Sequence, residues 1–308
     1  IWNAVTFLLP LYTPSHYFIA MENDFTRRYI KLGARADIFD LPEIMRVNTL
    51  KITPKALFDR LKEKGFEFEK IPFLENGYKV IRARHALSAL QEYLHGYFYM
   101  QEAASQLPAQ ILNPGKDDIV LDTCAAPGSK TTQLAVKSKY VVALESQHNR
   151  MPSLVNNVER LGIRNVIACN TDARIFEPSI KFDKILVDAP CSGNYISDTQ
   201  WFRRQSITNF KQRAEIQKEI LSNIVSHLSD NGELVYSTCS LEPEENEMII
   251  DWAITDLRMK IVDIDCIGDK GLTSPFGEKL HKDVEKSRRL WPYKTKTQGF
   301  FIAKMVLK

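Results

Sequence analysis

The sequence predicts an α/β protein, a doubly wound parallel sheet preceded by a smaller α+β module. Three observations support that expectation. From about residue 117, short apolar strand-like runs alternate with helix-period segments, the pattern of strands joined by crossover helices. Residues 46–107 show a shorter strand–helix–strand pattern of their own, and residues 1–45 read as a helical arm, leaving 108–308 for the sheet domain. Finally, 308 residues suffice for one large domain or two modest ones, and 44% hydrophobic with 26% charged residues is an ordinary globular composition.

Taken in order, residues 22–45 have a helical and partly basic pattern (FTRRYIKLGAR). MRVNTLKI reads as a strand with Val47 and Leu50 as its apolar positions. TPKALFDRLKEKGFEFEKI follows as a helix, with Thr53 as N-cap, Pro54 in the first turn and Gly65 as the stop. GYKVIRA is a second strand, and residues 86–113 link the module to the rest of the chain. DIVLDTC, YVVALE, NVIACNTDA, FDKILVDAP and GELVYSTCS are then strands, alternating with helices in SKTTQLAV, MPSLVNNVERLG and FKQRAEIQKEILSNIVSHL. PEENEMIIDWAI is a helix with acids in its first turn, where the helix dipole favours them. KIVDID and GFFIAKMVLK close the chain as strands.

Composition excludes several function classes. A net charge of +3 permits an anionic partner without demanding one. The five cysteines are odd in number, which argues against a disulfide framework and for a reducing, cytoplasmic setting. No CxxC pair or His cluster has metal spacing, so no metal site is expected. The first twenty residues contain no charge and so lack the basic start of a signal peptide, and Pro10 and Pro14 weaken a transmembrane reading. The expectation there is a packed arm, or sequence upstream of a natural start at Met21, with no membrane role.

In open α/β sheets, ligands bind beyond the carboxyl ends of the strands. That rule gathers TCAAPGSK, Glu145, Asp172, DAPCSG and STCS onto one rim. The turn formed by Cys124, Ala125, Ala126, Pro127, Gly128, Ser129 and Lys130 has small side chains that let a ligand approach the backbone at a helix start. It is neither GxGxxG nor a Walker loop, which disfavours a dinucleotide oxidoreductase and a nucleotide hydrolase. Glu145 follows at about the 20-residue offset of a ribose-binding acid, and Asp172 ends the third strand, where it can face an adenine amino group. A ribose and a purine without a phosphate requirement point to S-adenosylmethionine.

Two thiols at one rim, Cys191 and Cys239, need a reaction that uses thiols; Cys169 and Cys266 read as core residues. Methylation at C5 of a pyrimidine is such a reaction, because C5 is a poor nucleophile until a thiolate adds at C6. The thiolate needs a nearby cation, and Lys130 is the one on this rim.

CAAPGSKTTQLA, DAPCSGN and YSTCSLEPEENE resemble the motifs of the Sun/Fmu-type RNA 5-methylcytosine methyltransferases. RVNTLK, GYFYMQEAAS and RRLWPYKTKTQGFFIA are similar to other parts of that family, so the resemblance spans about residues 46 to 308. It implies a Rossmann-like class I methyltransferase domain with an RRM-like N-terminal module. It implies that CAAPGSK, Glu145, Asp172 and Asp188 bind S-adenosylmethionine. It makes Cys239 the nucleophile and Cys191 the thiol that assists product release, with Lys130 and Asp188 contacting the cytosine. Ser129 departs from the family, where glycine is usual. The interval from RVNTLK to QEAAS has no room for a PUA domain, a compact build similar to the stand-alone archaeal tRNA enzymes of the family. That favours tRNA over rRNA as substrate and a monomer as the working form. FTRRYIKLGAR and KSRRLWPYKTK are candidates to meet RNA phosphates.

Rival readings fit less well. A DNA cytosine-5 methyltransferase would use the thiol at Cys191 and leave Cys239 without a task. An exocyclic amino methyltransferase wants a second proline and an aromatic that DAPC lacks. A non-catalytic RNA-binding or ribosome-assembly protein has no need of Cys239, Cys191 and Lys130.

Overall fold

The computed structural model describes residues 18–19, 23–198 and 200–308. Residues 1–17 and Met21, on which the expectations of an apolar arm and an internal start fall, lie outside the described residues.

Helix α1 (Asp24–Lys31) is opened by Asn23, whose side-chain oxygen accepts from the backbone N–H groups of Phe25 (2.9 Å) and Thr26 (3.0 Å). It is far shorter than the 22–45 pattern suggests, because the chain turns at Gly33 in a left-handed conformation (φ 76°). Its inner face packs Tyr29 against Tyr195, Trp201, Leu241 and Trp291. Arg28 is not free to meet phosphate: its guanidinium lies 3.0 Å from Glu242 and 2.8 Å from Glu244.

The small module holds β1 (Ile44–Val47), α2 (Pro54–Glu63), β2 (Glu67–Lys70), β3 (Gly77–Arg82) and β4 (Phe98–Met100). Its sheet is antiparallel throughout, in the order β2-β3-β1-β4. Helix α2 starts and stops where the caps predict, with the Thr53 hydroxyl accepting from Ala56 N at 3.3 Å. The expected MRVNTLKI strand, however, ends at Val47, and Leu50 is 53% exposed in the turn beyond it.

The reason is what RVNTLK binds. The Arg46 guanidinium donates to the Ser129 carbonyl (2.6 Å) and the Thr132 hydroxyl (2.8 Å). The Asn48 amide donates to the carbonyls of Gly96 and Leu161, both at 2.8 Å, and the Lys51 ammonium to those of His95 and Arg160, both at 2.7 Å. The motif is a staple between the module and the sheet domain.

Helix α3 (Ala103–Leu112) leads into that domain. Next along the chain are β5 (Ile119–Asp122), α4 (Ser129–Ala135), β6 (Tyr140–Leu144), α5 (Met151–Leu161), β7 (Val166–Cys169), β8 (Phe182–Asp188), α6 (Ile207–Ile224) and β9 (Leu228–Thr238). Then come α7 (Glu247–Thr255), β10 (Met259–Val262), β11 (Asp269–Lys270), β12 (Arg288–Leu290) and β13 (Phe300–Leu307). The sheet runs β11-β12-β13-β9-β8-β5-β6-β7, with β10 also paired to β13. The five strands from β9 to β7 are parallel and the others antiparallel. Successive residues of the central strands feed opposite cores. Val120 and Leu186 pack with Ala104 and Leu107 of α3, whereas Leu121, Ile185 and Val187 pack with Leu221 and Ile224 of α6.

The acidic stretch after β9 departs from expectation. Pro243–Glu245 forms a single tight turn, and α7 begins only at Glu247. Glu247 does sit in the first helical turn, but it faces inward. Its carboxylate pairs with Arg289, and both side chains are fully buried. The Arg289 Nε donates to Glu247 at 2.8 Å, and Nη1 donates to the Leu241 carbonyl at 2.5 Å. KSRRLWPYKTK is therefore corrected as a phosphate-binding stretch: Arg289 is internal, Arg288 donates to the carbonyls of Lys286 and Ser287, and Lys294 pairs with Asp269 at 2.5 Å. Removing one partner of a buried pair strands the other charge. We expect Arg289→Ala to lower stability by about 3–5 kcal/mol in urea unfolding, and Arg289→Met with Glu247→Leu to recover most of that loss.

Candidate active site

Strand β5 has β6 on one side and β8 on the other, so the chain leaves it toward one flank of the sheet and reaches β8 and β9 on the opposite one. That is a topological switch point, where an α/β sheet opens a crevice at its carboxyl edge. A cavity of about 280 Å³ lies there, with Cys124, Ala126, Lys130, Asp188, Cys191 and Cys239 in its wall. Ala125, Pro127 and Ser129 line it as well. Gly128 does not, but it shapes the turn. It adopts φ 98°, and a Cβ there would stand 3.0 Å from Leu154 Cδ1, so only glycine brings the chain round into α4 without strain.

A continuous polar chain crosses the floor. The half-turn of α4 after Gly128 aims Lys130 at the end of β8, where its ammonium donates to Asp188 Oδ2 at 2.6 Å. The same ammonium donates to Ser105 Oγ at 3.1 Å, and Asp188 Oδ1 accepts from the Ser237 hydroxyl at 2.7 Å. Phe300 of β13 covers Lys130, with its ring centre 5.5 Å from the ammonium.

The two thiols meet. Strands β8 and β9 pair in parallel with Asp188 opposite Ser237. Cys191 lies just past the first strand and Cys239 just past the second, and their sulfurs are 3.1 Å apart. The contact is asymmetric in charge. The Cys191 thiol is pushed well above its usual range by its hydrogen bond to Cys239 and by burial, whereas the Cys239 thiol is held below its usual value by the hydrogen bond from Cys191, with Lys130 adding to the effect. One hydrogen bond shared between the two sulfurs stabilises a single negative charge on the pair. The Asn194 amide fixes the loop by donating to the carbonyls of Cys239 (2.7 Å) and Gly299 (3.1 Å). Cys169 and Cys266 pack against the hydrophobic cores, as their surroundings in sequence suggest.

The acids expected to hold a nucleoside divide. Glu145 follows β6 and is 2% exposed, yet it is not part of the cavity wall; its Oε1 accepts from Gln147 N at 2.9 Å, while Arg150, which does line the wall, stands 3.2 Å from Oε2. Asp172 stands apart from the cavity wall, with both oxygens in the fork of Arg174 at 2.8–3.1 Å, which holds its carboxyl below the usual range. Sequence reasoning missed Ser105, Asp122, Arg150, Gln298 and Phe300, all in the cavity wall. Asp122 had a signal, since it ends β5 as Asp188 ends β8. Ser105 and Gln298 come from distant elements that only the fold brings in. Burial pushes the Asp122 carboxyl up to about 6, and the Thr131 hydroxyl donates to its Oδ2 at 2.7 Å.

The residues suit a nucleoside cofactor. One buried carboxylate oxygen in the cavity wall, Asp122 Oδ1, has no hydrogen-bond partner among the described residues. Buried acceptors of that kind call for donors such as ribose hydroxyls. The small side chains of Ala125 and Ala126 leave room for a flat ring or a sugar against the backbone.

Comparison with known proteins agrees with this arrangement. The family model of the 16S rRNA methyltransferase RsmB/F matches residues 109–306, and that of the N-terminal domain of the 16S rRNA methyltransferase RsmF matches residues 14–103. The ribosomal RNA small subunit methyltransferase F of Vibrio atlanticus is 35% identical over 277 residues, covering 86% of this chain and 57% of its own length. The 28S rRNA (cytosine(4447)-C(5))-methyltransferase of Homo sapiens is 30% identical, covering 94% of this chain and 39% of its own length. The chain therefore spans about half the length, or less, of these curated relatives. A crystal structure of a methyltransferase homolog protein from Pyrococcus horikoshii superposes with a TM-score of 0.79 at 38% identity, over 87% of each chain. The doubly wound sheet, the crevice with its paired thiols and the matched models lead to one conclusion: the chain belongs to the RsmB/F methyltransferase family, the Sun/Fmu-type group that its cysteine motifs resemble.

Proposed function

We propose that this protein is an S-adenosylmethionine-dependent RNA (cytosine-5) methyltransferase that acts through a covalent bond between Cys239 and C6 of the target cytosine. The observation that carries the proposal is the pair of sulfurs 3.1 Å apart beside the Lys130–Asp188 contact. The sequence of a relative named as a cytosine-C(5) methyltransferase agrees with it.

The chemistry follows from the residues. The Cys239 thiolate adds to C6, and the electron pair of the C5–C6 bond is displaced toward C5 and the base carbonyl. Asp188 and Lys130, hydrogen-bonded to each other beside the thiols, hold the N3–C4 edge of the base in this reading. Bound S-adenosylmethionine supplies an electrophilic methyl group to C5. A base, water in the open crevice, then takes the C5 proton, the electron pair returns to the C5–C6 bond, and the bond from C6 to sulfur breaks to give back the Cys239 thiolate. Cys191, which keeps its proton until this stage, assists that release. Asp122, Glu145 and the turn from Cys124 to Ser129 would hold the cofactor, with Asp172 the acid toward its adenine once Arg174 yields.

The division at residues 45 and 107 corresponds to a division of labour. Residues 46–107 hold the RNA around the target, and the arm before them braces the loop after β9. A target inside structured RNA has to leave its stack to reach the crevice. The names of the relatives favour ribosomal RNA. The compact interval from RVNTLK to QEAAS supports tRNA as a second reading. A binding-only role is disfavoured, because it leaves the pair of thiols in the cavity wall without purpose.

Two experiments test this reading. Cys239→Ala is expected to abolish methyl transfer, and Cys191→Ala to accumulate a protein–RNA adduct seen as a shifted band on a denaturing gel; an adduct with Cys239→Ala instead would reverse the roles. Bisulfite sequencing of ribosomal RNA and tRNA from cells with and without the protein should show one lost 5-methylcytosine in ribosomal RNA. A loss confined to tRNA would favour the second reading, and no change in either would overturn both.

A further inference from the structure

Behind the two thiols, on the side away from the cavity, lies a fully buried carboxylate that the proposed chemistry does not use. Glu245 comes from the tight turn after β9, and its side chain reaches both cysteine loops. Its Oε1 accepts from the Ser240 hydroxyl at 2.9 Å and from the Ser192 hydroxyl. Its Oε2 accepts from the Ser192 backbone N–H at 3.0 Å and from the Gln217 amide at 3.0 Å. Ser192 immediately follows Cys191, and Ser240 immediately follows Cys239. The two hydroxyls also touch each other at 3.2 Å. Gln217, on α6, ties the cluster to the loop ahead of Cys191 by donating to the Pro190 carbonyl at 3.1 Å. The backbone carbonyl of Glu245 accepts from the Tyr236 hydroxyl at 2.7 Å, which anchors the turn to β9.

We propose that Glu245 is the positioning residue for the reaction: one carboxylate, bridging Ser192 and Ser240, sets the distance and orientation of Cys191 relative to Cys239. The inference rests on the two-thiol reading above, because only a reaction that needs both thiols gains from fixing them to each other. Strand pairing alone fixes Asp188 against Ser237. The cysteines lie past the strand ends, on loops that the ladder no longer holds. A buried carboxylate is a costly way to hold two loops unless every lone pair is used, and here its two oxygens take four donors. Its negative charge also faces both sulfurs and opposes the thiolate of either, so it sharpens the need for Lys130.

The test compares Glu245→Gln, Ser192→Ala and Ser240→Ala with the unaltered protein. Glutamine turns an N–H₂ group toward donors and breaks the bridge, whereas each serine change removes only one hydroxyl and leaves the fold intact. In single turnover on ribosomal RNA, Glu245→Gln is expected to slow methyl transfer on the order of 100-fold, the cost of a small misplacement of reacting groups. Either serine change should give an intermediate loss. Each variant should also change the ratio of covalent adduct to methylated product, and Glu245→Gln should move the acid limb of the pH–rate profile lower, since a carboxylate that opposes the thiolate is gone. Binding of S-adenosylmethionine and the melting temperature of the serine variants should stay at wild-type values. If rate, cofactor binding and melting fall together while the adduct ratio and the pH profile stay fixed, Glu245 is a general fold element and the proposal fails. Alkylation of Cys239 by iodoacetamide against pH, followed by peptide mass spectrometry without RNA, separates the two levels of inference. Should the unaltered protein methylate no RNA yet Glu245→Gln still shift the Cys239 profile, the function fails and the positioning role stands; an unshifted profile overturns the positioning role.

Discussion

The site depends on the register between two adjacent parallel strands. With Asp188 opposite Ser237, the loops that leave β8 and β9 emerge side by side, and a thiol from each can share one hydrogen bond. A slip of one residue would send every side chain of a strand to the other face of the sheet and separate the sulfurs. The register is held strongly, because both faces of these strands are buried and the Ser237 hydroxyl also locks onto Asp188. Lys130 then needs only the turn at Gly128 to arrive at the same carboxylate from the neighbouring strand β5.

Much of this was legible in the sequence, for physical reasons. Parallel strands buried on both faces show up as uninterrupted apolar runs, and their carboxyl ends define a ligand rim before any coordinates exist. That logic brought the turn from Cys124 to Lys130, of which all but Gly128 line the cavity, together with Asp188, Cys191 and Cys239. It had no means of finding Ser105 and Gln298, whose elements lie far away in sequence and reach the cavity only through packing. It also misjudged Leu50, because a strand pattern cannot reveal that the Asn48 side chain diverts the backbone into a turn.

Charges were the least legible feature. A run such as SRR or TRR looks like a surface for phosphate, yet Arg28 and Arg289 each point inward to carboxylates of the segment after Cys239. That segment, Glu242 to Glu247, reads as the acidic start of a helix. In the fold its glutamates work separately: Glu242 receives Arg28 and the Tyr29 hydroxyl, Glu245 the cysteine loops, and Glu247 Arg289. Burial pushes the Glu242 carboxyl up to about 7, so its partners are what make it tolerable inside. Sequence spacing shows that acids are dense here but not which way each one faces.

The staple formed by Arg46, Asn48 and Lys51 has a consequence for how this protein can drift. Every acceptor it uses except the Thr132 hydroxyl and the amide oxygens beside Arg46 is a main-chain carbonyl, and a carbonyl is present whatever side chain the residue bears. His95 can therefore be exchanged without loosening the joint, while the three donors cannot, and Arg160 also acts through its side chain, whose guanidinium donates to the Tyr93 carbonyl at 2.8 Å. Gly96 is the exception on the receiving side, since a Cβ there would stand 2.0 Å from the Arg160 carbonyl oxygen. The junction thus concentrates its sequence requirement on one short motif, a single glycine and one answering arginine, and where only a carbonyl is used, as at His95, the side chain is free to vary.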